Sequence, residues 1–464
     1  MRRAAFALAL AASACTVGPN YKRPVAQLPE AYRAAAPTGA LAADQPSLGD
    51  QKWWEVFQDE QLQELIRTAL RQNFDVRIAA ARVAEAQARL GITRADQFPQ
   101  VDGSALTQRE RISASSVPLP VQAFERNVFQ VGASTSWEVD FWGRFRRATE
   151  AARATLAATE WGRRAVATSL VAEVAEAYFT LRAIDLNLDI SRQTLASRRE
   201  SLRLTQVRAA GGAASELDVR QAEQLVFGAS ATIVDLERQA QQQENLISIL
   251  QGNDPGAVPR GRTITDQPLI PQVPTGLPSA LLERRPDIVE AEQTLVAANA
   301  NIGVARANFF PEVSLTGSGG FQSASLLSLS TGPAAFFTVG ATLLQPVFTA
   351  GRTRSQVELA EVRRDVALLA YQQTIRQSLR DVSDALIAYR HDREFREQQQ
   401  LLARSAAEAL PLTTVRYQGG ASSYLEVLDD TRLFIVQLGL AQAQLNELRA
   451  LVQIYRALGG GWEQ

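Results

Sequence analysis

Apolar and polar residues alternate strictly from Phe129 to Phe141. Phe129, Val131, Ala133, Thr135, Trp137, Val139 and Phe141 fall on one side, and Gln130, Gly132, Ser134, Ser136, Glu138 and Asp140 on the other. Period two predicts a strand, here with an apolar face and a polar face, as in a membrane barrel. Elsewhere the period is helical. Ile375, Leu379, Val382, Leu386 and Tyr389 step by four and three, and Val171, Val174, Tyr178 and Leu181 do the same. Such heptads predict coiled-coil packing. The stretch from about Arg144 to Ala210 has no proline, and that from about Arg352 to Gln418 has only Pro411. At 1.5 Å per residue each helix would be roughly 100 Å long. Shorter helices are expected over about Asp59–Gln97 and Ala213–Gln251.

The pattern occurs twice. Leu204-Thr205-Gln206-Val207-Arg208 and Gly211-Gly212-Ala213 match Leu412-Thr413-Thr414-Val415-Arg416 and Gly419-Gly420-Ala421, an offset of 208. Gly143-Arg144 pairs with Gly351-Arg352 at the same offset. Upstream the offset is 212, where Gly91, Arg94, Ala95, Phe98 and Pro99 pair with Gly303, Arg306, Ala307, Phe310 and Pro311. Each copy therefore holds a helix, a strand pair, a long helix, a glycine turn and a helix. The glycine pairs end the long helices, because glycine enters the left-handed region at low cost. In copy two, Val313–Gly351 has no charged residue but is broken by glycines and prolines, which suits two strands and a loop rather than a membrane helix. The expected plan is a signal peptide at 1–14, an extended anchor segment at 15–58, repeat one at 59–252 with strands within 100–142, a Pro-rich connector at 253–278, repeat two at 279–458 with strands within 312–350, and a tail at 459–464.

Lipid admits only helices or closed barrels. Four strands per chain cannot close a barrel, whose smallest usual size is about eight. Two chains would supply eight strands and three would supply twelve; about eight fill with side chains, whereas more leave a lumen. A soluble hairpin lying on the helices is the alternative, weakened because each copy would supply one isolated hairpin.

Composition narrows the function. Charge is balanced, with Lys+Arg 48 and Asp+Glu 49, which argues against nucleic-acid binding through bulk charge. The single cysteine, Cys15, and single histidine, His391, leave no Cys-based zinc site and no Ser-His-Asp triad to expect. No catalytic, cofactor or metal constellation is found, and an enzyme is not expected. Arg2-Arg3, the apolar run Ala4–Ala12 and Ala12-Ser13-Ala14-Cys15 read as a secretory signal of the lipoprotein kind, with Cys15 acylated after cleavage. Trp137, Trp142 and the basic run from Arg144 suit a membrane interface.

At this level the chain resembles the TolC-like outer-membrane efflux channels, specifically the lipoprotein branch that works with resistance-nodulation-division (RND) pumps. The resemblance rests on Cys15-Thr16-Val17-Gly18-Pro19-Asn20-Tyr21-Lys22-Arg23-Pro24, Trp53-Trp54-Glu55-Val56-Phe57, Arg284-Arg285-Pro286-Asp287-Ile288, Ala305-Arg306-Ala307-Asn308-Phe309-Phe310-Pro311 and Tyr424-Leu425-Glu426-Val427-Leu428-Asp429. It implies an α+β chain that forms a homotrimer: a twelve-strand barrel in the outer membrane, continuous with a coiled-coil helical barrel in the periplasm. It implies an exit duct for drugs or other small toxic compounds, fed by a periplasmic adaptor (membrane fusion) protein and an inner-membrane RND pump. It also implies a gate at the periplasmic end, which by motif position maps to Tyr417, Asp429 and Arg432, with Asp430 an extra acid. At offset 208, Asp429 and Arg432 correspond to Gln221 and Gln224. The turns at Gly211-Gly212 and Gly419-Gly420 are then expected to dock the adaptor. Metal efflux or type I protein secretion is the nearer alternative, and a coiled-coil structural envelope protein the more distant one.

Overall fold

The computed structural model describes residues 16–33, 47–112, 124–269, 273–421 and 429–462. Cys15, and with it the expected lipidation, lies outside them. The principal elements are α1 (Glu60–Gln72), α2 (Phe74–Ala95), β1 (Gln100–Ile112), β2 (Phe124–Glu138), α3 (Arg144–Ala210), α4 (Glu216–Leu250), α5 (Pro286–Ala307), β3 (Glu312–Ser323), β4 (Ala335–Leu344), α6 (Arg352–Gln418) and α7 (Asp429–Ala457). The long helices α3 and α6 each have 67 residues. The order helix, strand, strand, long helix, helix thus occurs twice.

Packing does not follow the repeats. One compact unit comprises Met1–Val25, Val83–Thr159 and Ala291–Tyr371; the other comprises Ala26–Arg82, Glu160–Glu290 and Gln372–Gln464. Each unit draws on both copies.

In the first unit the two hairpins join into one antiparallel sheet of order β1-β2-β3-β4. β2 of copy one pairs with β3 of copy two, so the hairpins are not isolated from one another, contrary to the expectation that weighed against a soluble hairpin. Directly opposed residues share a face. Val131 opposes Phe321, Thr135 opposes Gly317 and Trp137 opposes Leu315, while β3 sets Leu315 against Ala341, Gly319 against Phe337 and Val313 against Leu343. One face therefore collects Val101, Val131, Leu315, Phe321, Phe337, Val339 and Leu343, all of them exposed. The other face carries Gln130, Ser134, Ser136, Ser314, Thr316 and Ser318, together with the exposed Leu106 and Leu344. Beyond Phe129, β2 pairs with β1 alone, and this extension carries the Arg109–Glu125 ion pair at 2.6 Å and the Arg126–Glu110 pair. β2 ends at Glu138, short of the expected Phe141, and the Val139 amide donates to the Val313 carbonyl at 2.9 Å. At this end Trp142 stacks on Phe310 at 4.5 Å and donates to the Pro311 carbonyl, and Trp137 donates to the Gln97 carbonyl.

The same unit holds an N-terminal strap. The buried Arg147 of α3 donates to the carbonyls of Val17 and Gly18 and to Asn20 Oδ1. From α5, Asn299 donates to the Pro19 carbonyl, and Glu292 accepts from Tyr21 and Arg23. Burial, then the Glu292 carboxylate, raises the Tyr21 phenol above its usual range, so it remains a donor. Gly18 has φ +106°, and a Cβ there would stand 2.5 Å from the Gly303 Cα. Only glycine permits this approach of strap to helix.

The single shorter helix expected over Asp59–Gln97 is two helices, broken within the second unit. Asn73 breaks it with ψ 135°; its side chain caps the Asp75 and Val76 amides and donates to the Leu250 carbonyl. The buried Asp59 carboxylate caps α1 through the Gln61 and Leu62 amides and also accepts from the Tyr178 hydroxyl, the Arg262 amide and the Gln267 side chain. It thereby fixes the Pro-rich connector to α3. Of the expected tail, Trp462 packs back onto α3: it meets Trp161 at 5.7 Å, and the Arg164 guanidinium lies 4.8 Å from the Trp462 ring. Among the described residues no helix is long and apolar enough to cross a membrane.

Candidate functional site: the turn end of the helical hairpins

The turns that close α3–α4 and α6–α7 begin alike. Gly211 and Gly212 donate to the carbonyls of Val207 and Ala209, and Ala213 to that of Arg208; Gly419, Gly420 and Ala421 donate to the carbonyls of Val415, Tyr417 and Arg416. This pattern satisfies the last carbonyls of each long helix. Gly212 has φ +77° and Gly420 φ +73°, and nothing lies within 4 Å of a Cβ built on either. Gly212 and Gly420 are both exposed among the described residues. In copy one Ser215 then caps α4, exchanging bonds with Asp218. The corresponding residues of copy two, 422–428, lie outside the described residues.

Tyr417 is buried, in contact with Ala222 of α4 and Leu202 of α3. The Arg208 guanidinium lies 4.5 Å from its ring, and Nη1 donates to the Tyr417 carbonyl at 3.0 Å. That carbonyl belongs to the last turn of α6, where the helix dipole favours a cation. A cation–π contact adds about 0.5–2 kcal/mol. A second copy-one arginine makes a similar link: Arg198 donates to the Leu225 carbonyl of α4 and lies 5.0 Å from the Phe434 ring of α7. Arg198 has no counterpart in copy two, where the equivalent residue is Ala406.

Of the residues singled out for a gate, Tyr417 is therefore held by copy one. Arg432 is exposed on the first turn of α7. Asp429 and Asp430 open that helix, and their side chains lie outside the described residues. Sequence reasoning missed Arg208 and Arg198. Arg208 left a trace, since Val-Arg recurs before both glycine turns, but its partner could not be read from that. Arg198 left none.

Further along the same hairpins, Arg396 of α6 and Glu447 of α7 form an ion pair at 2.5 Å, with Glu447 only 1% exposed. Arg449 reaches Thr180 of α3 at 2.9 Å, and Gln453 reaches Glu176. Burial raises the Glu176 carboxyl above the usual carboxylate range.

One unit thus carries a sheet with one exposed apolar face, and in the other the helical hairpins end in exposed glycines, features that suit a membrane channel component. The model of the outer membrane efflux protein family matches residues 65–253 and again 277–460, and the chain belongs to that family. It is 37% identical to the solvent efflux pump outer membrane protein SrpC of Pseudomonas putida, over 97% of this chain and 96% of that one. It is 34% identical to the cation efflux system protein CusC of Escherichia coli, over 99% and 98%. A crystal structure of a membrane protein from Pseudomonas aeruginosa superposes with a TM-score of 0.89 at 36% identity, covering 97% of this chain and 98% of that chain.

Proposed function

We propose that this protein is the outer-membrane exit duct of a tripartite RND-type efflux pump, working as a homotrimer. The observation that carries the reading is the four-stranded sheet with an exposed apolar face and two outer edges that pair with nothing among the described residues. Such edges are not tolerated in lipid, and three copies give twelve strands around a lumen. Cys15 carries the lipid that anchors the mature N-terminus. The turns at Gly211-Gly212 and Gly419-Gly420 dock the periplasmic adaptor, and Tyr417, Asp429 and Arg432, with Asp430 beside them, form the constriction. Charge-assisted bonds between chains are weak when hydrated, so a docked partner can undo them.

The cargo is a drug, solvent or other small toxic compound, in line with the similarity to SrpC; cation cargo is the second reading, favoured by the similarity to CusC. Native mass spectrometry in detergent tests the assembly, with three chains expected and a stable conducting monomer or dimer contradicting it. Deletion of the gene tests the cargo. Sensitisation to solvents and drugs supports the first reading, and sensitisation to metal salts alone supports the second.

A further inference from the structure

We infer that β4 and α6 of one chain seat β1 and α2 of a second copy in a defined register, one that places Thr342 opposite Leu106 of the partner subunit. The inference rests on the barrel reading above and adds which residues meet.

The internal repeat supplies the register. Phe129, Val131, Gly132 and Ala133 of β2 recur as Phe337, Val339, Gly340 and Ala341 of β4, at offset 208. Phe98-Pro99 and Val101 before and within β1 recur as Phe310-Pro311 and Val313 at β3, at offset 212. So β4 with a following β1 is the counterpart of β2 with β3, and the latter pairing is visible within the chain. There Ser134 opposes Ser318, Thr135 opposes Gly317 and Ser136 opposes Thr316. Moving each strand by its own offset sets Thr342 against Leu106 of the partner subunit, Leu343 against Ala105 of the partner subunit, and Leu344 against Ser104 of the partner subunit. Both faces survive the transfer. Within the chain, Leu343 and Ala105 both belong to the apolar face, which also holds Val131 and Val313, and Thr342 and Leu106 both belong to the opposite face. A slip of one residue would mix the two faces.

The helices point the same way. α3 directly follows β2 and α5 directly precedes β3, and the two meet where Arg147 lies against Gly303. On α3, Ala151, Ala154 and Ala158 are 6%, 5% and 8% exposed. At offset 208 on α6 stand Leu359, Val362 and Val366, which are 48%, 54% and 62% exposed. The same face of the same helix is covered in copy one and open in copy two. α6 directly follows β4 and α2 directly precedes β1, so pairing β4 with β1 of a second copy brings that copy's α2 onto this open face. The intrachain seam also holds the N-terminal strap, of which each chain has one. Larger side chains on α6 fill the seam that has no strap.

Cysteine pairs in the full chain test the register. Opposed residues have Cα atoms about 4.5–5.5 Å apart, within disulfide reach, whereas a shift of two residues gives about 7–8 Å. Thr342→Cys with Leu106→Cys, oxidised with copper phenanthroline, is expected to give covalent dimers and trimers roughly tenfold faster than Thr342→Cys paired with Ser104→Cys or with Gln108→Cys. Leu344→Cys with Ser104→Cys provides a second in-register pair should the first perturb folding. The parent chain, with Cys15 alone, sets the background. Faster linkage at a shifted pair, or no linkage at any pair in a preparation that native mass spectrometry shows to be trimeric, overturns the register and leaves the duct standing. A chain that stays monomeric overturns both.

Discussion

At matching places in the two helical hairpins, copy one carries Leu188 and Gln239, whereas copy two carries Arg396 and Glu447. Leu188 is buried, and in copy two the same position holds the half-buried Arg396, paired with the buried Glu447. Further along α3 copy one has the cation: Arg198 reaches Phe434, where copy two has Ala406. The backbone repeats, down to the hydrogen bonds of the glycine turns, but the polar contacts do not. Each hairpin has an ion pair of its own, Arg192–Glu237 in copy one and Arg396–Glu447 in copy two, and copy two also takes two arginines from copy one.

Exchanging the solutions should give the largest effects. Glu447→Ala removes the buried acid and leaves the half-buried Arg396 with Gln400 and Glu397, and should cost about 3 kcal/mol, read as a lowered melting temperature of the purified protein in detergent. Arg396→Leu combined with Glu447→Gln, the copy-one pair, should recover most of that loss. A double variant as unstable as Glu447→Ala would show that the two hairpins do not share a backbone frame at this level.

The strap gives the next contrast. Arg147→Ala removes charge-assisted bonds to three strap atoms and should cost about 2–3 kcal/mol. Its counterpart, Ser355, is exposed, and Ser355→Ala should change the melting temperature very little. Equal shifts would mean that the strap contributes nothing to the first unit.

Smaller again is the tip. Arg208→Ala should cost about 1–2 kcal/mol from the lost cation–π contact and carbonyl bond, and more than Arg416→Ala on the exposed equivalent. Smallest and symmetric, Gly212→Ala and Gly420→Ala should each cost about 1 kcal/mol, because both glycines have positive φ and neither has a neighbour to strike. Unequal costs would locate a difference in the turns themselves rather than in what holds them.

The long helices and the glycine turns were legible because heptads and Gly-Gly pairs are local signals. The break at Asn73 was not, since helix formers flank it and its deciding partner, the Leu250 carbonyl, is remote in sequence. Alternation showed which face of β2 is apolar, but a period of two says nothing about the neighbouring strand, so the joining of β2 to β3 was hidden. Tyr417 could be placed by motif and by its position before the turn. Its burial beneath Arg208 depends on α3 lying beside α6, a contact that no local pattern encodes.

Whether copy two closes the pore is tested most directly by single-channel conductance in planar bilayers. Asp429→Ala with Arg432→Ala should raise conductance without loss of the trimer, and Gln221→Ala with Gln224→Ala, at the same places in copy one, should change it far less. Equal changes from the two pairs, or no change from either, would contradict a gate built on copy two.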